Sequence, residues 1–151
     1  MHTRGDDSGL VNGLRWVALL PASIAGALVV RVVVFSINRF SLSSYIPTTW
    51  SSYLGPDSLV GGGMVVTLSD GAMGAAVVFL ATYIAPTHKK HVASTVTVFA
   101  VLAAIVGVGK CAIAEDYWGA YTYFWFGIGA LACGVTMIQL ASRKEIKVSK
   151  I

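Results

Sequence analysis

Four uninterrupted apolar runs decide what this chain can become. They cover Leu14 to Ile37, about Met64 to Ala85, Val92 to Ala112 and Tyr121 to Ala141. A hydrocarbon layer about 30 Å thick takes roughly 20 helical residues to cross, so each run is long enough to span it. The four runs and their connections use nearly all of the 151 residues, which leaves little for a soluble domain. A β-barrel is disfavoured, because it would show ten-residue segments of alternating polarity and none is present.

Amphipathic helices of soluble proteins carry an apolar stripe opposite a charged face, whereas these runs are apolar all round, as burial in lipid requires. The composition agrees: 56% of residues are hydrophobic, 12% are charged, and the mean hydropathy is +0.73. The expected fold is therefore an all-α integral membrane protein, a bundle of four transmembrane helices in a single membrane domain covering 1–151. The amino terminus has the charges, apolar run and small residues of a secretory signal, and we expect it to be kept as the first span. Gly61 to Gly63 precede the second span, and Pro86 should stop it, because proline cannot continue a helix.

Lysine and arginine set the orientation. Arg4, Arg15, Lys89, Lys90, Arg143, Lys144, Lys147 and Lys150 fall on one side, and Arg31, Arg39 and Lys110 fall on the other. This places both termini, the 86–91 turn and the basic 142–151 tail in the cytoplasm, with the 38–62 and 114–120 connections outside. The formal net charge of +4 is then explained by topology and by attraction to anionic lipid, with no nucleic acid partner needed.

The segment "VVTLSDGAMGAA", Val65 to Ala76, places a carboxylate among aliphatic and small residues. If the second span begins at Met64 on the outer side, Asp70 lies roughly 9 Å below that surface. Arg31 climbs from the other side to roughly 25 Å of the layer and Lys110 to about 27 Å, so three ionisable groups are predicted in one layer. An unpaired charge at such depth costs a few kcal/mol on insertion scales, and Asp70 should therefore face the bundle interior, a cation or water. Arg31 is the expected partner through a two-pronged contact, with Thr67 or Ser69 adding hydrogen bonds, because Lys110 can reach the surface alone.

Gly63, Thr67, Asp70 and Gly74 step by four, three and four residues and so share one helical face. Thr97, Ala100, Ala104, Gly107 and Cys111 form a comparable stripe on the third span, and Gly127, Ala130 and Gly134 form one on the fourth. Small residues let membrane helices approach closely, so these faces are expected to pack.

Other features have plainer readings. His88 and His91 offer two imidazoles among lysines, fewer than the three or four ligands zinc takes, so no metal site is expected. The stretch "EDYWGAYTYFWFG" resembles an interfacial aromatic belt. Its sharper reading is an outer rim of Tyr117, Trp118, Tyr121 and Trp125 that meets a lipid, a quinone or a partner helix, with Tyr45, Trp50 and Tyr53 opposite. Cys111 and Cys133 lie at different depths and are not expected to pair. No nucleophile–base pair, phosphate loop or metal cluster is recognisable, so no catalytic residues and no cofactor are expected.

The leading functional expectation is a small non-catalytic membrane subunit or accessory protein, in a homo-oligomer or a larger complex, in the bacterial inner membrane. The alternative is a small ion, proton or solute conduit that uses Asp70. Lipid or quinone binding at the aromatic rim is a third.

Overall fold

The structure, a computed structural model, describes residues 6–47, 49–85 and 88–148, with side chains for 11–47, 49–85 and 88–142. Pro86, Arg4 and Lys150 lie outside the described residues, as do the side chains of Arg143, Lys144 and Lys147. The elements in order are α1 (Asp6–Tyr45), α2 (Ser51–Leu54), α3 (Leu59–Ile84), α4 (Lys89–Ile113) and α5 (Tyr117–Val148). Four of them, α1, α3, α4 and α5, are long and apolar enough to cross a membrane.

The helices outrun the apolar runs that announce them. α1 begins eight residues before Leu14 and continues eight beyond Ile37. Most of the expected 38–62 loop is helical, 114–120 shrinks to a three-residue turn, and the tail stays helical to Val148. Apolarity marks only the part of a helix that lies in hydrocarbon; outside it, polar residues continue the backbone ladder. Asn38 and Ser43 do so while bonding back to the carbonyls of Val34 and Phe40, both at 2.8 Å. α3 starts early because Ser58 is its N-cap: extended backbone, with Oγ accepting from the Gly61 N–H at 2.9 Å. Pro21 sits inside α1 and removes one backbone hydrogen bond without ending the helix, a loss that membrane helices tolerate.

α3 is the centre of the bundle and touches every other helix, whereas α1 packs substantially against α3 alone. Ascending α1, Leu19 meets Ala81 and Ala85, Gly26 meets Leu80, Arg31 meets Asp70 and Arg39 meets Asp57, so α1 and α3 run antiparallel. α5 runs parallel to α3, pairing Thr67 with Tyr121 and Gly74 with Phe126 and Ala130. α4 opposes α5, with Thr97 against Gly134 and Ala104 against Gly127. The start of α1 and the end of α5 consequently lie at one end of the bundle, the basic end, with the Glu115–Gly127 aromatics at the other.

The interior is built from small residues. Its two buried clusters are Leu19, Ala81, Ala85 and Val92, and Val78, Ala100 and Ala130. Large apolar side chains such as Val17, Phe40 and Phe99 point outward. Lipid is as apolar as they are, so close backbone contact rather than hydrophobic sorting holds the helices together. α3 and α5 show this best: a methyl group on Gly129 would lie 2.7 Å from the Gly71 carbonyl carbon, and one on Gly74 would lie 2.9 Å from that of Phe126.

Candidate functional site

Asp70 lies midway along α3 and is 1% exposed. Arg31 of α1 donates from Nε to Asp70 Oδ1 at 2.5 Å, while 43% of the arginine side chain remains accessible at the side of the bundle. The contact is single-pronged, not the expected fork: Asp70 Oδ2 is buried and has no hydrogen-bond partner. Thr67 and Ser69 do not supply it. Thr67 donates to Gly63 O at 2.8 Å and Ser69 to Val65 O at 2.8 Å, because the carbonyl one turn back is the nearest acceptor for a hydroxyl on a helix.

The three-charge layer is a pair in the structure. Lys110 is exposed on α4, and among the described residues the ion pairs are Arg31–Asp70 and Arg39–Asp57, the latter at 2.9 Å between exposed side chains. Depth alone put Lys110 beside Asp70, but α4 presents its small stripe, not Lys110, to its neighbours.

Gly63, Thr67 and Gly74 face α5. The single hydroxyl proton of Thr67 is used on Gly63, so Tyr121 is the donor in the 2.6 Å contact between the two hydroxyls. Tyr121 lies between Trp118 and Trp125 in edge-to-face contacts with centroids 6.1 Å apart, and Phe124 packs on Trp125 at 5.5 Å. Trp125 Nε1 is buried without a partner. Tyr117 and Trp118 are exposed at the rim.

Trp118 separates two clefts. One, of about 250 Å³, has Arg39, Asp57 and Gly62 in its wall; the other, of about 350 Å³, has Leu59, Gly63, Tyr117 and Tyr121. Tyr45, Trp50 and Tyr53, expected as the opposite wall, are exposed and line neither. Their place is taken by the first turns of α3.

Glu115 and Asp116 have local work. Glu115 adopts left-handed backbone at φ 58°, and Asp116 N–H bonds to Cys111 O at 2.9 Å, closing α4. Asp116 Oδ1 then accepts from the Gly119 N–H at 2.9 Å and opens α5. The His88 and His91 rings stand 6.2 Å apart at the start of α4, and no cluster of three or more metal-ligating side chains occurs among the described residues. Cys111 and Cys133 are free thiols.

Comparison with known protein families, with curated proteins and with solved structures returned no match.

Proposed function

We propose that the chain is a small, non-catalytic integral subunit of a membrane complex, seated in a bacterial inner membrane with both termini cytoplasmic. Its aromatic end contacts the partner, either a larger membrane protein or further copies of itself. The observation that carries this reading is the exposed rim of Tyr117 and Trp118 above a rigid seam. Tyr121 anchors the rim to Thr67 of α3, so two aromatic side chains are presented on fixed backbone beside two clefts. Rigid aromatic anchors next to pockets are what concentrate binding energy at interfaces. The chain's only carboxylate deep within a span is already engaged by Arg31, which leaves turnover little apparatus.

Native mass spectrometry of the protein extracted gently from its own membrane tests the proposal. A reproducible larger partner, or a defined oligomer, that is lost in Trp118→Ala is the expected result. An assembly unchanged by Trp118→Ala and by Tyr117→Ala overturns it.

One observation favours a second reading. Asp70 Oδ2 is a buried oxygen that needs a proton, a cation or a water, which is what an intramembrane conduction site would offer. In that case Asp70→Asn abolishes ion or proton flux in proteoliposomes while the protein stays folded and abundant. Loss of abundance in Asp70→Asn removes this reading.

A further inference from the structure

α1 and α4 lean on different sides of α3 and leave an open groove between them, of about 800 Å³, within the usual range of ligand sites. Its floor is Met73 and Val77 of α3, and its walls include Leu20 and Ile24 of α1 and Phe99 of α4. Polar side chains enter the lining chiefly at the basic end, where His88 and His91 stand across from Trp16. From His88 to Ala100 the wall rises twelve residues of α4, roughly 18 Å, close to half of a 30 Å hydrocarbon layer. The groove therefore covers one leaflet and stops near the midplane.

We infer that this groove binds one anionic phospholipid, its acyl chain along the apolar wall and its phosphate at the basic mouth. Charge complementarity selects the occupant. Lys89 and Lys90 lie between the two histidines in the chain, and Arg15 directly precedes Trp16. Among the described residues, the same end of the bundle carries Arg15, Lys89, Lys90, Arg143, Lys144 and Lys147 against Asp6, Asp7 and Glu145. His88, the N-cap of α4, gives no side-chain cap, so the first-turn N–H groups and the positive end of the helix dipole add to the same field. A partner helix fits less well: a spanning helix needs a seam through both leaflets, and here the groove ends halfway. The site is at the opposite end from the aromatic rim and does not depend on what meets that rim.

The test uses the full-length protein in a neutral detergent, with native mass spectrometry reading retention of phosphatidylglycerol against phosphatidylcholine of the same chains. The expected result is one phosphatidylglycerol held per protomer, with phosphatidylcholine lost at the same activation. Replacing both Lys89 and Lys90 by Gln should weaken phosphatidylglycerol retention by roughly ten- to thirty-fold. Thr95→Trp, which fills the groove and leaves the charges in place, should remove it as well. Equal retention of the two lipids by the unaltered protein overturns the inference. So does phosphatidylglycerol retention that survives both variants, or a polypeptide in place of the lipid that Thr95→Trp displaces.

Discussion

The two sides of α3 are built on different rules. Toward α5 the contact is backbone on backbone, with Gly74 against Phe126 and Gly129 against Gly71 leaving no room for a methyl group, and a hydroxyl pair, Thr67–Tyr121, above it. Toward α1 the contact is one stripe of buried side chains, Leu19, Ser23 and Ala27, plus one ion pair. The first side specifies by shape and the second by charge. A shape seam fails when anything is added, whereas a charge seam fails when one partner is removed.

The largest effect should come from adding bulk to the shape seam. Gly129→Val should destabilise by about 3 kcal/mol, because backbone opposite cannot yield as a side chain can, and would be read as lost thermal stability in mild detergent. Gly109→Ala is the matched control, since nothing lies within 4 Å of the added carbon; here stability should rise by about 0.5–1 kcal/mol as glycine's helix penalty is removed. If the two variants behaved alike, the α3–α5 seam would not be the close contact described.

On the charge side, Arg31→Ala leaves a buried carboxylate unpartnered and should cost roughly 3 kcal/mol. Pairing it with Asp70→Ala should recover part of that loss in the same melting assay, as a double-mutant cycle on contacting residues requires. Full additivity of the two single losses would show that the pair does not couple. A smaller change, about 1 kcal/mol, is expected for Tyr121→Phe, which deletes the hydrogen bond to Thr67 and keeps the ring. Smallest is Arg39→Ala. Its pair with Asp57 joins side chains 51% and 79% exposed, so the change should stay below about 0.5 kcal/mol and shrink further with salt.

Much of this was legible in the sequence, for identifiable reasons. Apolar length marked the four long helices, because hydrocarbon thickness is a fixed ruler. The steps 97, 100, 104, 107 and 127, 130, 134 gave two stripes that meet, because small residues at helical spacing have one use in lipid. What escaped depends on geometry across helices. Counting residues along each helix put Lys110 beside Asp70, but such a count ignores rotation about the helix axis. The one-pronged grip of Arg31 and the orphaned Oδ2 depend on side-chain geometry across two helices, which no spacing rule contains. Ser58 and Asp116 were readable as caps three residues ahead of Gly61 and Gly119, a signal hidden by the low helix propensity of glycine. The groove is a gap, and nothing in a list of residues marks where two helices decline to touch.

The Arg31–Asp70 contact also has a direction in time. The arginine is made 39 residues before its counter-ion, so at about 5–20 residues per second it is synthesised roughly 2–8 s ahead of Asp70. In a membrane, α1 would carry over that interval a bare charge worth a few kcal/mol against insertion, offset by its long apolar flanks. Arrival of α3 cancels the charge and gives α1 its one substantial neighbour in the same event. A chain arrested before Asp70 would therefore leave Arg31 without its counter-ion and α1 without the helix it packs on.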